Sequence, residues 1–207
     1  MSADYVKKVF NQKYMAEIVE DDMDNEESPR DWENLGIMLC YTKRYDLGDD
    51  KTVTRSDFNS WEGLEEILFE REKALVVLPL YLLDHSGLSI STSDFRYCDA
   101  GGWDSGQIGF IYTTARQYRS ICDKNKIEFS QDDLNEIKQQ LITEVNTYDE
   151  YLRGEVYGYR LYPINDDGTP SEDETDSCYG FYGMDNIEQE VRDMMEIEEY
   201  GEPIQDK

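Results

Sequence analysis

Leu75-Val76-Val77-Leu78-Pro79-Leu80-Tyr81-Leu82-Leu83 is the stretch on which the fold turns. Nine uncharged residues fall far short of the roughly 20 that cross a bilayer. They match the length of a strand buried on both faces. Pro79 has no N–H to give a ladder, which places the strand at a sheet edge or at a bulge. Leu88-Ser89-Ile90-Ser91 alternates just downstream and reads as its hairpin partner.

Further strands flank this pair. Residues 14–20, 36–42 and 107–112 are extended candidates, and 155–162 alternates cleanly. Asn165-Asp166-Asp167-Gly168 is a turn, and Ser177-Cys178-Tyr179-Gly180-Phe181-Tyr182 returns antiparallel. Two helices are clear. One runs over 57–73, with Leu64, Ile67 and Leu68 on one face. The other opens at Ser130, with Asp133 in its first turn, and Gly154 stops it. A shorter helix is expected over 115–123. A last one, over 184–199, has an acidic outer face. The expected class is α+β: a single domain, a mainly antiparallel sheet, two or three packed helices and an acidic C-terminal helix. Residues 1–183 form the body, with an acidic loop over 20–34, and 184–207 form the acidic helix and tail.

The 207 residues carry 47 Asp and Glu against 20 Lys and Arg, a net charge of −27. Such a field excludes direct binding of nucleic acid, which needs a basic stripe, and docking on anionic lipid. With 39% hydrophobic and 13% aromatic residues, the chain is also not a disordered acidic tail. Met1-Ser2-Ala3-Asp4-Tyr5-Val6-Lys7-Lys8 has no apolar signal stretch, and the four cysteines form no Cys-x-x-Cys pair. Reduced thiols and a cytoplasmic location are expected. The oligomeric state is not fixed by the sequence, and a dimer is one possibility.

The charge is uneven. Residues 20–34 hold eight acids and one base, and residues 164–207 hold fifteen acids and two bases. These 59 residues carry −20, and the other 148 carry −7. Duplex DNA carries one charge per roughly 1.7 Å of axis, so −20 equals about 34 Å of duplex, near one helical turn. Asp21, Asp22, Asp24, Glu26, Glu27, Glu172, Asp173, Glu174, Glu188, Glu190, Asp193, Glu196, Glu198 and Glu199 are therefore candidates for an acidic partner-binding surface.

A second set of candidates lies on the body. The only histidine, His85, sits in Asp84-His85-Ser86-Gly87, after the strand quoted first. Asp104-Ser105 and Asp176 precede two other strands. Convergence of these carboxylates on a cation or small ligand would suit a hydrolase or a binding site. Capping of turns is the plainer role for such residues. Phosphate loops, nucleophile elbows and His-Glu-x-x-His are all missing, and no cofactor or resident metal is expected. Asp22-Met23-Asp24-Asn25-Glu26 departs from a calcium loop, since Glu27 stands where the turn needs glycine.

The chain resembles the acidic proteins of about this length encoded by bacteriophages and other mobile elements. The resemblance lies in Pro29-Arg30-Asp31-Trp32-Glu33-Asn34-Leu35-Gly36, Arg44-Tyr45-Asp46-Leu47-Gly48-Asp49 and Leu78-Pro79-Leu80-Tyr81-Leu82-Leu83-Asp84-His85-Ser86-Gly87. It continues in Trp103-Asp104-Ser105-Gly106-Gln107-Ile108-Gly109-Phe110-Ile111-Tyr112 and Asp176-Ser177-Cys178-Tyr179-Gly180-Phe181-Tyr182-Gly183. It implies a setting in which small acidic proteins block host defence, and it brings no catalytic residues with it. The expected activity is non-enzymatic: an acidic nucleic-acid mimic that occupies the basic channel of a bacterial defence nuclease, anti-CRISPR or antirestriction in type. The alternative is a metal-dependent hydrolase or ligand-binding protein built on Asp84, His85, Ser86, Asp104, Ser105 and Asp176.

Overall fold

The computed structural model describes residues 5–22, 27–49 and 52–196. The chain is α+β, with antiparallel pairing throughout and two four-stranded sheets. It divides into two compact units: residues 1–26 with 154–207, and residues 27–153.

The larger unit, 27–153, is three-layered. Its sheet has the order β3-β6-β4-β5, where β3 is Ile37–Cys40, β4 is Ala74–Asp84, β5 is Leu88–Ser91 and β6 is Ser105–Thr114. Helix α3, Gln131–Arg153, covers one face, burying Ile137, Leu141 and Val145 against Met38, Cys40, Leu80, Ile90 and Ile111. Helix α1, Trp61–Glu70, covers the other, burying Leu64 and Leu68 against Leu39, Phe110 and Tyr112. With both faces covered, the central strands lose the alternation of a half-exposed sheet and become continuously apolar. Gly109 is required by closeness: a Cβ there would lie 1.7 Å from the Leu39 carbonyl oxygen on β3.

Pro79 lies on the part of β4 that pairs with β6 alone, since β5 pairs only with Tyr81–Asp84, so it occupies a local edge as expected of a residue with no N–H. A register shift against β6 follows between Leu80 and Tyr81. Both edges of this sheet are closed by carboxylates. Asp49 Oδ2 accepts the Met38 N–H at 2.8 Å on β3, and Asp149 Oδ1 accepts the Ile90 N–H at 2.7 Å on β5.

The helices fall where the sequence predicts but, α3 apart, are shorter than expected, the last one being Met184–Met194. Ser60 Oγ caps α1 by accepting the Gly63 N–H, so α1 starts four residues later than expected. Ser130 and Asp133 form a reciprocal cap on α3, at 3.2 Å and 2.8 Å. Gly154 follows α3 with φ +71°, the left-handed conformation that glycine tolerates best. Helix α2 is Ala115–Ile121.

The smaller unit has a sheet of order β1-β2-β7-β8, with β1 Lys7–Phe10, β2 Tyr14–Glu20, β7 Val156–Pro163 and β8 Asp176–Tyr182. Helix α4, Met184–Met194, lies across one face. Ile187, Val191 and the following Met195 are buried with Ala16 and Ile18 of β2 and Tyr159 and Leu161 of β7. Helix α4 is part of the core of its unit, because its apolar stripe packs with Ile18 and Leu161.

Candidate functional site

The smaller unit concentrates the charge. Its 80 residues hold 23 acids and 6 bases, a net of −17; the larger holds 24 acids and 14 bases in 127 residues, a net of −10. The strand directions set out where the acids fall. Strand β2 runs toward Glu20, Asp21 and Asp22, at the end of the sheet where β7 begins and β8 finishes. The β7–β8 connection, 164–175, is at the opposite end, beside Lys13, whose carbonyl accepts the Ile164 N–H. Helix α4 starts at the first end and finishes at the second, where Asn11 donates to the Met195 carbonyl at 2.8 Å. Acids therefore sit at both ends and along the helix between them.

Most of these side chains are uncommitted. Glu172, Asp173, Glu174, Glu190 and Glu196 are exposed, and their carboxylates make no ion pair among the described residues. Others serve the fold. Asp21 accepts the Gly180 N–H at 3.1 Å, Glu188 pairs with Lys7 at 2.5 Å, and Asp193 accepts from Gln189 at 2.8 Å. Asp22 is exposed on the smaller unit, and Glu27 is exposed on the larger one. Asp24, Glu26, Glu198 and Glu199 lie outside the described residues. In the connecting loop, Asp167 accepts from the Thr169 hydroxyl and N–H, which hold its carboxyl below the usual range.

The second candidate set is only partly assembled. In the larger unit the β4–β5 hairpin turns through His85, Ser86 and Gly87, with Ser86 at φ +59°. The Asp84 N–H bonds the Asp104 carbonyl at 2.8 Å, which seats the start of β6 beside this turn. His85 Nδ1 then meets Asp104 Oδ2 at 2.8 Å, with side chains 70% and 47% exposed. Asp84 is committed elsewhere: its Oδ2 accepts from Arg44 at 2.7 Å and from the Tyr45 hydroxyl at 3.0 Å. That hydrogen bond raises the Tyr45 phenol. Ser105 donates to Asp99 Oδ2 at 2.7 Å. No hydroxyl or thiol is hydrogen-bonded to His85 among the described residues, so the pair lacks the nucleophile of a hydrolytic triad.

Asp176 is on β8 of the smaller unit, accepting from the Tyr159 hydroxyl at 3.1 Å. Burial, reinforced by that carboxylate, pushes the Tyr159 phenol up to about 12. Among the described residues no group of three or more His, Cys, Asp or Glu side chains is placed to hold a metal ion. No helix among them is long and apolar enough to cross a membrane.

Two features escaped the sequence reading. Arg30, in the Pro29–Asp31 turn, has a side chain only 7% exposed. It grips Asp49 through Nε at 3.1 Å and Nη2 at 2.6 Å, and it donates to the Gly36 carbonyl at 2.8 Å. Glu144 of α3 lies 3.6 Å from Arg30 Nη1 and accepts the Leu35 and Gly36 N–H groups, each at 2.9 Å. The Pro29–Gly36 and Arg44–Asp49 motifs are thus clasped onto the sheet and α3, which gives them a structural role. The signal was present: Arg30 is the only base in the acidic stretch 20–34. The second feature is the pair Tyr97 and Trp103, 88% and 90% exposed on the loop before β6.

No family model matches the chain, and no curated protein and no solved structure is similar to it.

Proposed function

We propose that this protein is a phage-encoded, non-enzymatic inhibitor of a bacterial defence nuclease, of the anti-CRISPR or antirestriction type. It acts in the host cytoplasm as an acidic nucleic-acid mimic, and the smaller unit is the surface that enters the basic channel of the target. The observation that carries this reading is the density of charge on that unit. Its described residues hold 16 acids and 5 bases, a net of −11, which corresponds to about 19 Å of duplex. The eight residues of β7 run about 26 Å. The charge thus approaches that of a duplex segment of this length. A soluble domain needs a net charge of only about 2–8 in magnitude, so solubility does not account for the excess. Electrostatic steering toward a basic channel makes capture fast and sensitive to salt.

The test is competition. Fluorescence anisotropy of labelled duplex, bound in turn to restriction nucleases and CRISPR effectors, should fall when this protein is added. The effect should weaken steeply as salt rises. Binding of the labelled duplex by the protein itself, or lack of displacement across the panel, contradicts the reading.

A second reading has one observation in its favour, the His85–Asp104 hydrogen bond. A histidine so paired can accept or donate a proton at Nε2. On that reading the hairpin corner is a small-ligand or hydrolytic site, and His85→Ala should abolish function while the acids of α4 are dispensable.

A further inference from the structure

The larger unit carries a groove between α2 and α3 that is independent of the mimic surface. Leu35 and Ile137, both buried, form its floor with Tyr118 and Ile121, and it encloses about 320 Å³. Ile121 is one of the few large apolar side chains left exposed among the described residues. The rim is acidic. Two of its carboxylates are already committed: Asp133 to Lys126 and the Ser130 cap, Glu144 to the Arg30 clasp. The other two, Glu33 from the loop before β3 and Glu136 from α3, are exposed and have no hydrogen bond or ion pair among the described residues.

An apolar floor under two unpaired carboxylates is complementary to one kind of side chain in particular. Arginine and lysine place a charged head on an apolar stem, so the stem can cover Ile121 and Ile137 while the head meets Glu33 or Glu136. A neutral apolar occupant would leave both carboxylates poorly solvated, and an acidic one would be repelled. We propose that this groove docks a segment of a partner protein in which basic residues alternate with apolar ones. The site is a second point of contact, in addition to any captured by the smaller unit. It does not depend on the nucleic-acid-mimic reading, since none of its residues lies in that unit.

The experiment is a titration of the full chain, followed by backbone amide NMR, with an acetylated and amidated hexapeptide of alternating leucine and arginine. Saturable one-to-one shifts should appear at Leu35, Tyr118, Ile121 and Ile137. Affinity should drop at least tenfold in Glu33→Gln/Glu136→Gln, and comparably in Ile121→Ser. These residues are at the surface, and unchanged far-ultraviolet circular dichroism serves as the folding control. A hexapeptide of alternating leucine and glutamate should bind the groove at least tenfold more weakly, because Glu33 and Glu136 repel it. Shifts confined to α4 and the 164–175 loop would overturn the proposal, as would equal binding of the leucine–glutamate peptide in the groove or undiminished affinity in both variants.

Discussion

The two units hold nearly equal numbers of acids but differ in how these are balanced. In the larger unit several carboxylates do work within the fold. Asp49 and Asp149 close sheet edges, Glu144 receives two N–H groups, Asp133 caps α3, and Asp99 receives the Trp103 and Asp104 N–H groups at 3.2 Å and 3.0 Å. Fourteen bases stand beside twenty-four acids there. In the smaller unit six bases stand beside twenty-three acids, and the ten exposed acids over 164–196 make no ion pair among the described residues. Close-set like charges repel and lower the stability of the unit that bears them. The difference teaches that the larger unit offsets more of its acids with bases and sets several of them to structural work, whereas the smaller one carries its exposed acids with few bases to offset them.

The sharpest way to break this contrast is to remove the central cation of the larger unit. Arg30→Ala leaves Asp49 and Glu144 facing each other with no compensating charge. Breaking a buried pair of this kind costs about 3–5 kcal/mol. Urea unfolding followed by circular dichroism should show that loss, and a loss below about 1 kcal/mol would mean that the clasp is not structural. Next in size is Ile187→Ala on α4, fully buried in the smaller unit. An isoleucine-to-alanine cavity costs about 2–5 kcal/mol. Hydrogen exchange should accelerate in α4, β2 and β7, with the amides of β6 protected as before.

The third prediction has opposite signs in the two units. Glutamine at Glu172, Glu174, Glu190 and Glu196 together should raise thermal stability at low ionic strength, by a few tenths of a kcal/mol per charge, with the gain fading in salt. Glutamine at Glu144 alone should lower it, because the Leu35 and Gly36 N–H groups lose a charged acceptor. The smallest effect concerns pH. The Lys126 hydrogen bond, with those from Ser130, holds Asp133 down to about 2, against an ordinary 3.8. A depressed carboxyl contributes stability that is present above the unfolded value and lost as pH falls through the folded one. The larger unit should therefore lose part of its stability between about pH 4 and 2, and Asp133→Asn should remove that dependence. Ser130→Ala, by removing the cap, should cost about 1 kcal/mol at neutral pH.

Much of this organisation was legible in the sequence, for local reasons. Helix α3 announces itself through Ser130, its apolar spacing and Gly154, all within its own span. The β4–β5 hairpin is joined by a short segment, and the twelve-residue β7–β8 connection opens with the explicit turn Asn165–Gly168. Strand β1 was missed because its four residues, half-buried at an edge, carry too short a pattern. Pro79 is consistent with the expected edge, but that the edge is local, because β5 reaches only to Tyr81, is decided by strand lengths that the sequence does not mark. Site assembly was least legible. Asp84 and Asp104 meet because β6 pairs with β4, but Asp176 lies on the other sheet, and that separation is a matter of long-range strand order. Glu144 was invisible as a partner of Arg30 for the same reason, being 114 positions away in the chain.

The central claim is that the acids of the smaller unit, not acidity in general, meet the partner. Two variants with equal charge test it. One carries glutamine at Glu172, Glu174, Glu190 and Glu196; the other carries glutamine at Glu65, Glu66 and Glu70 with Asp132→Asn, four exposed acids of the larger unit. Displacement of labelled duplex from a nuclease that the wild-type protein inhibits should weaken at least tenfold with the first variant and less than threefold with the second. Equal weakening by both, or full activity in the first together with loss in His85→Ala, would contradict the account.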